Sequence, residues 1–229
     1  MEFTLLAAAA IAGAAAYVML WWEARHGNAA RCTGNLWEIG LVSTVAGIFI
    51  GRIVAMLLDG VNPIAHPMDV ILVRSGVSTV GASLGAAAVF ALQGRKNTIT
   101  MADGISAAAL AGLAGWHAGC LVRGSCLGTA SDLPWAIAQE GSTVTRHPVG
   151  VYAALLLAGA AIILAWWKAY RRPPEGSPAA IAIIAAAGTR LVTEPFQPSI
   201  SGGPVWFYAI ALAVGIGVLV RSIVRHRTA

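Results

Sequence analysis

Gly119-Cys-Leu-Val-Arg-Gly-Ser-Cys-Leu-Gly-Thr-Ala-Ser-Asp-Leu-Pro-Trp135, followed shortly by Arg146-His-Pro-Val-Gly-Val-Tyr152, is a polar, glycine-punctuated island between two long apolar runs. A bilayer interior excludes irregular backbone unless protein or water covers it. Polar chemistry this dense between two apolar runs reads as a working surface rather than a tether. The rest of the chain is expected to hold that surface in place.

Working outward, hydrophobic residues make up 58% of the 229 positions and charged residues 11%, with a mean hydropathy of +0.73. That composition excludes a soluble domain and points to a polytopic membrane protein. Apolar stretches long enough to cross a hydrocarbon core as helix fall near 3–22, 37–58, 76–93, 101–122, 148–168, 178–196 and 205–222. The fold expected is therefore an all-α polytopic membrane protein, one integral membrane domain over 1–229, with seven transmembrane helices. The opening Met-Glu-Phe-Thr carries an acid where a secretory leader would be basic, so the first run is read as a retained span.

Cations set the expected orientation. Of the fifteen Lys and Arg, Arg25, Arg31, Arg95, Lys96, Lys168, Arg171, Arg172, Arg221, Arg225 and Arg227 follow odd-numbered spans. Only Arg74, Arg123 and Arg146 lie in the opposite loops. The positive-inside bias then puts the N-terminus outside, the C-terminus in the cytoplasm and the polar island on the outer face. Cations placed as topology anchors, rather than in one patch, also argue against nucleic acid as partner despite the net charge of +5.

Two further loops share that expected outer face. Asn62-Pro-Ile-Ala-His-Pro67 leads into a stretch, Met68 to Val73, too short to cross, which reads as an interfacial or re-entrant element. The loop Pro195 to Pro204 carries no formal charge. Within the spans, Arg190 and Glu194 stand four residues apart and share a helical face, which allows an intramembrane ion pair. Arg52 has no acidic neighbour in sequence; a lipid phosphate, Glu38 or Glu194 are candidate partners, and snorkelling is another solution. Guanidinium groups suit phosphate, so Arg52, Arg123, Arg146 and Arg190 are candidate ligands for an anionic lipid.

His117 and His147 are candidate bases, since imidazole titrates near neutrality. His117, Cys120 and Cys126 do not have the paired spacing of a structural metal site, and no metal is expected. A disulfide between Cys120 and Cys126 stays open at this point. Tyr152 is read either as part of the site or as an interfacial tyrosine.

Gly51-Arg52-Ile53, Gly81-Ala-Ser-Leu-Gly85, the stretch Gly119 to Trp135 with Arg146-His147-Pro148 and Tyr152, and Gly188-Thr-Arg-Leu-Val-Thr-Glu194 occur in the order in which the prolipoprotein diacylglyceryl transferases of bacterial inner membranes carry similar segments. The chain resembles that family over most of its length. The resemblance implies transfer of a diacylglyceryl group from phosphatidylglycerol, or another anionic phospholipid, to the cysteine of a prolipoprotein at the outer face, without metal or soluble cofactor. It implies phosphate binding by Arg190, orientation by Glu194, further contacts from Arg52, Arg123, Gly128, Arg146, His147 and Tyr152, and His117 as catalytic base or charge partner.

The chain also departs from the family pattern. The arginine that opens the family signature is His117, the histidine of its His-Gly-Gly is Val80, a tyrosine is Ala186 and an arginine is Gln197. Gly150 and Ala153 replace polar residues beside Tyr152. The competing reading is a non-catalytic lipid-binding relative acting as an accessory subunit of a membrane complex. A retinal protein is excluded by the absence of lysine from 205–222.

Overall fold

The computed structural model describes residues 2–228 apart from 30, 31, 33, 72–75, 124, 125, 140 and 199–202, with only the backbone described for 2, 3, 71, 96 and 123. Among the described residues the chain forms α1 (Glu2–His26), α2 (Leu36–Leu58), α3 (Pro67–Ile71), α4 (Thr79–Gly94), α5 (Thr98–Arg123), α6 (Val149–Arg171), α7 (Ser177–Thr193) and α8 (Val205–Thr228). Short 3-10 turns cover Arg95–Asn97 and Glu194–Phe196. The one extended element among these residues is an antiparallel ribbon of β1 (Ile137–Ala138) and β2 (Thr145–Arg146), with Ile137 opposite Arg146.

Among the described residues six helices are long and apolar enough to cross a membrane: Thr4–His26, Leu36–Leu58, Thr98–Val122, Val149–Arg171, Ser177–Phe196 and Val205–Thr228. The run expected as a span over 76–93 is α4, a 16-residue helix. At 1.5 Å per residue it extends about 24 Å, against a hydrocarbon core of about 30 Å. It starts late because residues 76–78 are extended: Ser78 donates its N–H to the Gly51 carbonyl and caps the helix by accepting from Gly81 N. It ends where Arg95 turns to a positive φ of 43°.

The chain divides into two compact units, residues 33–101 and residues 1–32 with 102–229. In the smaller unit, glycines let α2 and α4 touch. A Cβ on Gly51 would lie 2.7 Å from the Ala82 Cβ, and one on Gly81 would lie 2.8 Å from the Val54 Cβ. Gly47 and Gly85 are equally closed, so both helices carry small residues four apart on the contact face. Arg52, 2% exposed, donates from Nε and Nη2 to the Asp69 carbonyl at 3.0 and 2.8 Å and from Nη1 to the Gly76 carbonyl at 3.1 Å. Its charge thus fastens α3 and Gly76 to α2.

In the larger unit, α1 lies against α5 through Gly112, Gly115 and Gly119, where a Cβ on Gly119 would stand 2.5 Å from the Ala8 Cβ. The core is built from Ala107, Leu110, Ala111 and Ala114 of α5 with Leu157, Ala161, Leu164 and Ala165 of α6. A buried polar cluster closes one end of it. Lys168 pairs with Glu23 of α1 at 2.6 Å and donates to the Gly104 carbonyl and Ser106 Oγ of α5, both at 3.2 Å. Asp103 of α5 accepts from Gly176 N at 2.7 Å and Ala179 N at 3.0 Å, capping the start of α7 from a neighbouring helix. Lys168, expected as a topology anchor at the end of a span, is instead 3% exposed and internally paired.

Candidate active site

At the other end of α5, α6 and α7 lie most of the residues singled out from sequence. Asp103 and Cys120 are separated by about 26 Å along α5, and Lys168 from Val149 by about 28 Å along α6, at 1.5 Å per residue. The polar cluster and the candidate site are therefore at opposite ends of a shared scaffold.

The site is organised by a chain crossing. Gly128 donates its N–H to the His147 carbonyl at 2.8 Å, and His147 donates its own to the Thr129 carbonyl at 3.0 Å. Arg146 Nη1 donates to the Gly128 carbonyl at 3.1 Å. Thr129 N then reaches the Phe196 carbonyl at 2.9 Å, joining this loop to the turn that ends α7. A Cβ on Gly128 would fall 2.1 Å from the Phe196 oxygen, so only glycine permits that approach.

Arg190 and Glu194 form the expected i,i+4 ion pair at the end of α7, with 15% and 27% of their side chains exposed. The Arg190 guanidinium lies 5.5 Å from the Tyr208 ring centroid of α8, within range for a cation–π contact. Gly203 leaves room beside it: a Cβ there would sit 3.2 Å from Nη2. Partial exposure matters, because a guanidinium with access to solvent or lipid can still take a phosphate.

Phe196 connects this pair to the histidine. Its ring centroid is 5.0 Å from His147 and 6.0 Å from Tyr152. Tyr152, in the first turns of α6, has its hydroxyl 3.3 Å from His147 Nδ1 and accepts from Trp135 Nε1 at 2.8 Å. His117 approaches from α5: its carbonyl would lie 3.2 Å from a Cβ on Gly150. Gly150, one of the departures from the family pattern, is what lets Cys120 pack there, since a Cβ would lie 2.8 Å from the Cys120 Cβ.

Cys120 and Cys126 are joined in a disulfide. The bridge ties the end of α5 to the loop leading into Gly128, and Cys126 takes a positive φ of 65° to make the turn. Both sulfurs are committed to that bond, which removes them as metal ligands.

Gly128, Arg146, His147, Tyr152, Arg190, Glu194 and His117 thus gather in the larger unit. Arg52 belongs to the smaller one, and the Arg123 side chain lies outside the described residues. Trp135, Phe196 and Tyr208 were not singled out from sequence. Trp135 and Phe196 each follow a proline in a loop, a weak sign of aromatic rings held at a turn, and nothing in sequence tells that they meet the same tyrosine and histidine.

The sequence profile described as prolipoprotein diacylglyceryl transferase matches residues 2–225 of this chain. The chain belongs to the prolipoprotein diacylglyceryl transferase family. It is similar to the phosphatidylglycerol–prolipoprotein diacylglyceryl transferase of Bordetella avium, 26% identical over 95% of this chain and 88% of that protein. The protein of the same name from Legionella pneumophila is 29% identical over 84% of this chain and 78% of its own length. That of Methylobacillus flagellatus is 27% identical over 76% and 67%. In this chain Arg146 meets the Gly128 carbonyl, and Thr129 next to Gly128 meets Phe196, two residues beyond Glu194 of the Arg190–Glu194 pair.

Proposed function

We propose that this chain transfers a diacylglyceryl group from phosphatidylglycerol to the cysteine thiol of a prolipoprotein. The observation that carries this reading is the partly exposed Arg190–Glu194 pair, set beside the Gly128–His147 crossing in a chain whose family and relatives are named for that transfer. The thiolate attacks the glycerol carbon bonded to the phosphate oxygen. A C–S bond forms, the C–O bond breaks, and its electron pair leaves on glycerol phosphate. Arg190 takes the phosphate and stabilises its growing charge, and Glu194 holds the guanidinium in place.

Arg146 and Arg123 add positive field. Gly128 keeps the loop against Phe196, and His117 stands as a further charge or base near Arg190. Arg52 has the separate task of holding Asp69 and Gly76 of its own unit. Other anionic phospholipids carry the same phosphodiester and are candidate donors.

The two units are read as one integral membrane domain of a bacterial inner membrane, with α4 as a seventh span and α3 as a short element on the outer face. The distribution of Lys and Arg supports an outside N-terminus and a cytoplasmic C-terminus. Incubating the purified protein with phosphatidylglycerol and a lipobox peptide tests the function, by mass spectrometry of the peptide. A diacylglyceryl adduct is expected. Retained lipid without any adduct would contradict transfer and turn the search to a partner in a membrane complex.

A further inference from the structure

Transfer as proposed above requires something to take the proton of the incoming thiol, and at the position of the histidine in the family's His-Gly-Gly this chain has Val80. The hydrogen bonds around Tyr152 supply an acceptor elsewhere. An indole N–H only donates, so the Trp135 Nε1 contact at 2.8 Å uses a lone pair of the Tyr152 oxygen. The phenol has one proton, and the acceptor lying 3.3 Å away is His147 Nδ1. In the tautomer with its proton on Nε2, His147 accepts the Tyr152 hydroxyl at Nδ1, and the two side chains form one hydrogen-bonded pair. Tyr152 keeps a second lone pair for an incoming donor.

Phe196 fixes both rings from one side and belongs to the 3-10 turn that starts at Glu194. Phe196, which touches both rings, is therefore two residues of chain from Glu194, the partner of Arg190. Among the described side chains, the charged and titratable groups on the elements around the Tyr152–His147 pair are Arg146 just before His147, Asp132 in the preceding loop, His117 on α5, and Arg190 with Glu194 on α7 and its final turn.

We propose that Tyr152 and His147, held in order by Trp135, form the proton relay that converts the prolipoprotein thiol to its nucleophilic thiolate. This rests on the transferase reading. The thiol S–H gives its proton to the Tyr152 oxygen as Tyr152 passes its own to His147 Nδ1. The Trp135 N–H stabilises charge gathering on the phenol oxygen. The thiolate then displaces glycerol phosphate, and the imidazolium returns its proton to the released phosphate or to water. Atoms and charge balance with no other reactant.

The test is the pH dependence of adduct formation from pH 6.5 to 9.5, using phosphatidylglycerol micelles and a single-cysteine lipobox peptide. Wild type is compared with His147→Gln, Tyr152→Phe, His117→Gln and Arg190→Ala. General-base loss costs roughly 10²- to 10⁴-fold, so His147→Gln should be at least about 100-fold slower near pH 7. That deficit should shrink to within about tenfold at pH 9.5, where a thiol of ordinary pKa, about 8.5, is already mostly thiolate. Tyr152→Phe, which keeps the ring against Phe196, should follow the same curve and serves if His147→Gln fails to fold. Arg190→Ala should show a deficit that does not close.

Undiminished activity of His147→Gln and Tyr152→Phe near pH 7 would overturn the relay, as would a deficit of constant size across the range. Closure of the deficit in His117→Gln instead would assign the proton to that residue and overturn it too. A wild type that makes no adduct at any pH would overturn the transferase reading and the relay with it, an outcome the wild-type arm alone reveals.

Discussion

Lys168 Nζ lies 2.6 Å from Glu23 Oε1, and neither side chain has any accessible surface. A buried pair of this kind gains much of its charge attraction back against desolvation only while both partners are present. Removing one leaves an uncompensated charge among apolar helices. Lys168→Met is expected to destabilise the protein by about 3–5 kcal/mol, the range for breaking a buried pair. The double variant Glu23→Leu with Lys168→Met should recover most of that loss. Unfolding in denaturant, read by circular dichroism, checks it, and a single variant as stable as wild type would show that the pair does not hold α1 to α6.

The bridge between Cys120 and Cys126 leaves Cys32 as the cysteine outside a disulfide. Purified protein, unfolded under non-reducing conditions, should titrate one thiol before reduction and three after it. In the folded protein, burial pushes the Cys32 thiol above its ordinary pKa. A raised pKa means less thiolate at neutral pH, so alkylation of Cys32 should be slow there and accelerate as the solution is made alkaline. Rapid labelling at neutral pH would contradict the burial.

The α2–α4 contact depends on the absence of side chains. Gly51→Val would place its first carbon 2.7 Å from the Ala82 Cβ and 2.8 Å from the Ser78 carbonyl oxygen. Backbone cannot yield there as a flexible side chain would. Overpacking of this kind costs about 1–3 kcal/mol, and the equivalent change at Gly81, against Val54, should cost a similar amount. Thermal unfolding of both variants in detergent reads the effect, and unchanged midpoints would show that the helices have room to separate.

How much of this was legible in the sequence depends on the range of the interaction. Length and hydropathy are local, so the all-helical membrane class and the stretches carrying six long helices could be read directly. The Arg190–Glu194 pair could be read as well, because i and i+4 positions meet on any helix. The glycines of 47–51 and 81–85 reveal a contact face but not its partner, and their pairing emerges only when α2 and α4 come together. Lys168 looked like an anchor because it ends an apolar run. Its partner Glu23 lies 145 positions earlier in the chain, beyond the reach of any periodicity. Trp135, Tyr152, His147 and Phe196 meet through two loops and two helix ends, so their hydrogen-bond order is a property of the fold alone. Arg52 shows the same limit: the carbonyls of Asp69 and Gly76 are among its acceptors, and sequence does not say which carbonyls will be near.

In the proposed transfer Arg190 receives the phosphate that leaves. The direct measurement is the rate of lipobox-peptide modification from phosphatidylglycerol by wild type, Arg190→Ala and Arg190→Lys, with co-purifying anionic lipid quantified in each. Loss of one charge-stabilising donor in such a site costs on the order of 10²- to 10³-fold in rate. Arg190→Ala should lose at least that much, with depleted lipid and an intact fold, and Arg190→Lys should recover part of it. Modification by Arg190→Ala at the wild-type rate would contradict this role of Arg190.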